Sequence, residues 1–204
     1  MSKHTHTYLA LGDSYTIGDS LPLYDSFPYQ LVQLLRDRGH HFHAPEMVAK
    51  TGWTTSELAE HLIHTQLNPQ YDFVTLLIGV NNQYREEKMK DYENDFEFLL
   101  KKAIHFAAEK SQHVIVLSIP DWGVTPFAEG RDRNKIATEI DAYNAINSKL
   151  AERYHCQYLN ITPGTREAEN DATLLAEDKL HPSAKEYQRW ATAAADKFKT
   201  EISK

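Results

Sequence analysis

Apolar residues along this chain follow two rhythms: short unbroken runs, and longer stretches where they recur every three or four positions. The first rhythm belongs to strands buried on both faces, the second to helices with one face on a core. Residues 7–11 predict a first strand, ended by Gly12. Residues 29–38 predict a helix, with Leu31, Leu34 and Leu35 on one face and Gly39 at its carboxyl end. A weaker second strand follows at 46–50. Thr54-Thr55-Ser56-Glu57 then has the spacing of a capping box, so a helix is expected from there to about His64. Residues 72–78 carry the strongest strand pattern. Phe96, Leu99, Leu100, Ala103, Ile104, Ala107 and Ala108 predict a helix over 91–110. A fourth strand at 113–119 is stopped by Pro120. Ile136, Ile140, Tyr143, Ile146 and Leu150 mark a long helix over 133–154, and 156–161 reads as a fifth strand. Ser183-Ala184-Lys185-Glu186 has the spacing of a second capping box and opens a last helix to about Lys199.

Strands alternating with helices of this length build βαβ units with right-handed crossovers. The expected fold is α/β, a three-layer αβα sandwich around five mainly parallel strands. With 204 residues and no linker-like segment, one domain over residues 1–204 is expected. In such sheets ligands bind outside the carboxyl ends of the strands. The loops beginning at Gly12, Thr51, Gly79, Pro120 and Thr162 are therefore where chemistry should lie.

Charge and composition narrow the partners. Twenty-two Lys and Arg against 29 Asp and Glu give a net charge of −7, which argues against a nucleic-acid partner. The longest apolar run, residues 73–80, is too short to span a bilayer, so no stable membrane insertion is expected. The opening residues 1–7 lack an apolar leader core; a cytoplasmic location is expected, or secretion if a leader has been removed. The single cysteine, Cys156, cannot form an internal disulfide. His40, His41 and His43 cluster, as do His4 and His6, but no carboxylate or cysteine lies at ligand spacing, so no metal is expected.

Four of the short segments at predicted strand ends, or just before the last helix, carry reactive side chains. Gly12-Asp13-Ser14 follows strand one, Thr51-Gly52-Trp53 strand two, Gly79-Val80-Asn81-Asn82 strand three, and Asp178-Lys179-Leu180-His181 precedes the last helix. Singly, each reads as turn residues. Together they supply what acyl transfer requires. Ser14 offers a nucleophile, His181 the base that takes its proton, and Asp178 the acceptor that orients the ring. The backbone N–H groups of Ser14 and Gly52 and the side-chain amide of Asn81 offer an oxyanion hole. A second Gly-Asp-Ser, at 18–20, has no strand immediately before it, and Ser20 is expected to be dispensable.

In these four blocks, in this order, the sequence resembles the SGNH hydrolases, the GDSL-type esterases and lipases. The resemblance spans most of the chain. It implies a flavodoxin-like sheet and a serine hydrolase that cleaves carboxylic esters through an acyl-enzyme on Ser14, with no metal or organic cofactor. It also implies small-molecule, saccharide or lipid ester substrates, such as acetylated sugars, short-chain acyl esters, lysophospholipids or thioesters. One position departs: the family's third block usually ends Asn-Asp, and here Asn82 follows Asn81. Trp122 and Phe127, in the loop after strand four, either line a substrate pocket or pack that loop on the core. The same site would also serve an acyltransferase with an alcohol acceptor. A carbohydrate- or lipid-binding module that had lost the chemistry would keep the same fold.

Overall fold

All five apolar runs become strands of one parallel sheet in the computed structural model, which describes residues 4–202. Residues 1–3, part of the leader reading, and residues 203–204 lie outside the described residues. In chain order the elements are β1 (Tyr8–Asp13), α1 (Ser14–Ile17), α2 (Phe27–Asp37), β2 (Glu46–Lys50), α3 (Thr55–His64), β3 (Phe73–Leu77), α4 (Val80–Tyr84), α5 (Met89–Phe106), β4 (Val114–Leu117), α6 (Arg133–Arg153), β5 (Gln157–Leu159), α7 (Thr162–Arg166) and α8 (Ala184–Ile202).

The sheet order is β2-β1-β3-β4-β5, with Leu11 opposite Val48 on one side and Leu76 on the other. This is the flavodoxin-like doubly wound order, whose direction reverses between β1 and β3. Helices α2 and α8 pack together on one face, and α3, α5 and α6 on the other. β1, β3 and β4 are buried along their whole length, which is why they read as unbroken apolar runs. The reversal opens a crevice at the carboxyl ends of β1 and β3, where the Ser14 and Asn81 loops begin. Among the described residues no helix is long and apolar enough to cross a membrane.

The Thr54–Glu57 capping box forms as expected, and Thr54 N–H donates to Glu57 Oε2 at 2.8 Å. Only half of the expected Ser183–Glu186 box forms: Glu186 N–H donates to Ser183 Oγ at 3.5 Å, while Ser183 N–H goes to the Leu174 carbonyl at 2.8 Å. Ser183 Oγ itself donates to the Thr173 carbonyl at 2.7 Å. Glu186 is only 2% exposed, and its carboxylate accepts from Trp190 Nε1 (2.8 Å) and Arg189 Nη1 (2.9 Å). A buried carboxylate needs internal partners, and that need overrides the local capping pattern. The short helices α1, α4 and α7 are not visible in the periodicity, because four or five residues complete too little of a helical repeat.

Candidate active site

The turn from β1 into α1 is made possible by Gly12. A Cβ there would lie 2.0 Å from Thr16 Oγ1 and 2.4 Å from the Leu77 carbonyl, so only glycine lets the chain pass. Asp13 caps the new helix, accepting the Tyr15 N–H at 3.0 Å. Its complete burial pushes the carboxyl up to about 7, although the Tyr15 bond works in the opposite sense. Ser14 is the first residue of α1, 4% exposed, at the floor of the crevice.

The neighbouring loops are tied to this turn by side chains. Asn81 Nδ2 donates to the Trp53 carbonyl at 2.9 Å and lies 3.5 Å from Asp13 Oδ2. Gly52 sits in the left-handed region (φ 83°), and Arg85 Nη2 holds its carbonyl at 2.6 Å while pairing with Glu57. Asn82 is fully buried. Its Oδ1 accepts the Thr55 N–H, and its Nδ2 donates to Thr55 Oγ1 (2.8 Å) and Glu87 Oε2 (2.7 Å). An aspartate at 82 would face the Glu87 carboxylate, so this chain's departure from the family pattern matches its own neighbour.

The fourth block closes on itself. Asp178 Oδ1 accepts the backbone N–H groups of Leu180 and His181 at 3.0 Å each, and Oδ2 lies 2.6 Å from His181 Nδ1. Partial burial pushes the Asp178 carboxyl up. The bonds from His181, Leu180 and Ser20 outweigh it and hold the group at about 2, ionised at neutral pH. The Tyr15 ring lies 4.9 Å from that of His181.

Ser14, Gly52, Asn81 and His181 line one cleft of about 530 Å³, together with Trp122 and Phe127. Asp178 stands behind His181. Trp122 combines both readings offered for it: it lines the cleft, yet is buried with its indole N–H donated to Gln83 Oε1 at 2.6 Å. Phe127 is 45% exposed at the rim. Such a cleft can hold an ester carbonyl beside a serine hydroxyl, an oriented imidazole and several N–H donors.

Two participants escape the sequence reading. Tyr84 lines the cleft from the end of α4, one helical turn beyond Val80. Ser20 donates its hydroxyl to Asp178 Oδ2 at 2.8 Å from a left-handed backbone (φ 67°), while Asp19 Oδ2 accepts the Thr51 hydroxyl at 2.8 Å. The second Gly-Asp-Ser thus bridges the second and fourth blocks. The doubling of the tripeptide was the only sequence signal for it. A carboxylate does accompany two of the clustered histidines: Asp72, distant in sequence, stands beside His4 and His6.

Comparison with known proteins bears on the family and the fold. Residues 10–189 match the GDSL-like lipase/acylhydrolase family. No curated protein matches the sequence. Among solved structures, a lipase/acylhydrolase from Enterococcus faecalis superposes with a TM-score of 0.72 at 17% identity, covering 96% of each chain. The psychrotrophic esterase EstA from Pseudoalteromonas sp. gives 0.71 at 16% identity, covering 98% of this chain and 100% of its own. The acetylxylan esterase Axe2 from Geobacillus stearothermophilus gives 0.69 at 19% identity, covering 96% and 94%. At these identities the likeness is one of fold.

Proposed function

This chain belongs to the GDSL-like lipase/acylhydrolase family, and on that premise we propose that it is a serine hydrolase that cleaves carboxylic esters through an acyl-enzyme on Ser14. Family and fold together support ester hydrolysis. The residue assignment goes further. It rests chiefly on one observation: His181 turns Nδ1 onto an ionised Asp178 at 2.6 Å while its ring lines the cleft that holds Ser14.

With Nδ1–H donated to Asp178, Nε2 is the nitrogen free to act as base. Ser14 Oγ attacks the ester carbonyl carbon as His181 takes its proton. The oxyanion is received by the N–H groups of Ser14 and Gly52 and by Asn81 Nδ2, which turns from the Trp53 carbonyl toward the new charge. Collapse of the tetrahedral intermediate breaks the ester C–O bond, and His181 returns the proton to the leaving alkoxide. Water then attacks the acyl carbon as the same imidazole takes its proton. The bond from that carbon to Ser14 Oγ breaks, His181 returns the proton to Ser14 Oγ, and the acid leaves. Asp178 stays ionised and stabilises the transient imidazolium.

The substrate class is a small-molecule, saccharide or lipid ester whose leaving group meets the aromatic rim of Tyr84, Trp122 and Phe127. Structural neighbours that include an acetylxylan esterase make acetylated saccharides and short acyl esters the first substrates to try. The test is hydrolysis of p-nitrophenyl esters of increasing chain length and of acetylated xylo-oligosaccharides. The wild-type chain should turn over at least the short esters, and Ser14→Ala should lose about 10⁴-fold or more of kcat. Full activity in Ser14→Ala would refute the assignment.

A further inference from the structure

At the amino-terminal ends of β1 and β3, the end of the sheet opposite the cleft, a second group of side chains converges. The chain enters β1 in extended form, with His6 bridged to Phe42. His4 and His6, two positions apart, fall on the same side of it, their ring centroids 4.7 Å apart. Asp72, the residue before β3, is locked against Thr7. Its Oδ2 accepts the Thr7 N–H (2.8 Å) and hydroxyl (3.0 Å), and its own N–H donates to Thr7 Oγ1 (3.0 Å). This leaves Oδ1 for the two imidazoles. His4 Nε2 lies 3.0 Å from it and His6 Nδ1 3.8 Å, with all three ligand atoms within 4.8 Å of one another.

Two features distinguish this group from a surface ion pair. First, His6 Nδ1 is buried and has no hydrogen-bond partner, an uncommon condition for a ring nitrogen. Second, its 3.8 Å separation from the carboxylate is too long for a hydrogen bond. Ligands bound to one tetrahedral cation at the usual zinc distances lie about 3.4 Å apart, and 3.0 and 3.8 Å bracket that value. The site is also largely preformed. His6 donates its backbone N–H to the His41 carbonyl and accepts the His43 N–H, and its ring sits 5.0 Å from Phe42 and 5.8 Å from Phe73. The Asp72 carbonyl is fixed by His113 Nδ1 at 2.7 Å.

We propose that His4, His6 and Asp72 bind one divalent transition-metal cation of the zinc class, with solvent at the fourth position. Two imidazoles and one carboxylate suit zinc, nickel or copper. Calcium and magnesium, which take oxygen ligands, do not fit this donor set. The cation would clasp the segment before β1 to the start of β3. It lies at the opposite end of β1 from Ser14 and has no part in the hydrolysis proposed above.

The test is calorimetric titration of the chelator-treated, full-length protein with ZnCl₂, repeated with MgCl₂, and with CoCl₂ for its visible absorption. Expected are one equivalent of Zn²⁺ bound, a rise in melting temperature with added zinc, and a tetrahedral Co²⁺ spectrum. His4→Ala and His6→Gln should each weaken zinc binding about tenfold or more. His4 is exposed, so His4→Ala should keep the metal-free melting temperature and the rate of ester hydrolysis. The proposal is overturned if the wild type binds no stoichiometric zinc, if magnesium binds equally well, or if His4→Ala binds zinc as tightly as the wild type.

Discussion

Residues 12–14 and 18–20 spell the same tripeptide, and the fold uses the two copies in opposite ways. The first lies at the carboxyl end of β1, buried, with Asp13 capping α1 and Ser14 facing the crevice. The second lies beyond the end of α1, on a more exposed loop. There Asp19 takes the Thr51 hydroxyl and Ser20 gives its own to Asp178. A tripeptide has no role of its own: the strand end in front of the first copy aims its serine at substrate. Without a strand in front, the second copy reaches sideways and holds its neighbours. Ser14 is therefore the proposed nucleophile, and Ser20 a positioning residue for the acid–base pair.

The comparison can be broken most severely at Asp178, which the second copy holds through Ser20 and which in turn holds His181. Asp178→Asn should leave the fold intact but lower kcat about 10⁴-fold, because the amide no longer selects the productive His181 tautomer. A drop of only a few-fold would mean that Asp178 does not orient the base. Next, Asn81→Ala removes a donor tied to the first copy and should cost about 10²–10³-fold in kcat with KM little changed. A change in KM alone would make Asn81 a binding residue. Ser20→Ala deletes one hydrogen bond to Asp178, and kcat/KM should fall about 2- to 10-fold. Ser20→Thr, which keeps the hydroxyl, should recover part of the loss, and failure to do so would assign the effect to the strained backbone rather than the bond.

A last effect concerns stability and its dependence on pH, not turnover. Asp13 titrates near 3.8 when unfolded and about 7 when folded, so between those values the native state holds the extra proton. Stability from this group is complete at acid pH and is lost as pH rises from about 4 to about 7. Melting curves across that range should flatten in Asp13→Asn. An unchanged pH slope would mean that burial does not hold the proton on Asp13.

Much of this architecture was legible in the sequence because its signals are local. β1, β3 and β4 are buried on both faces and must be apolar throughout, while α5 and α6 are long enough for their period to show. The blocks of the candidate site could be found because three follow predicted strands and the fourth precedes the last helix. What stayed hidden depends on partners distant in sequence. Ser20 meets Asp178 only because the last connection folds back over the first loop. Asp72 reaches His4 and His6 only because β3 pairs with β1. Glu186 has the spacing of a cap, but Trp190 and Arg189 claim it once the helix is buried.

The central claim is that Ser14, and not its twin Ser20, is the nucleophile. A fluorophosphonate probe with fragment-ion mapping of the adduct measures this directly. The account predicts a stoichiometric adduct on Ser14 in the wild type, retained in Ser20→Ala and absent from Ser14→Ala. An adduct on Ser20, or none on a folded wild-type chain, would contradict it.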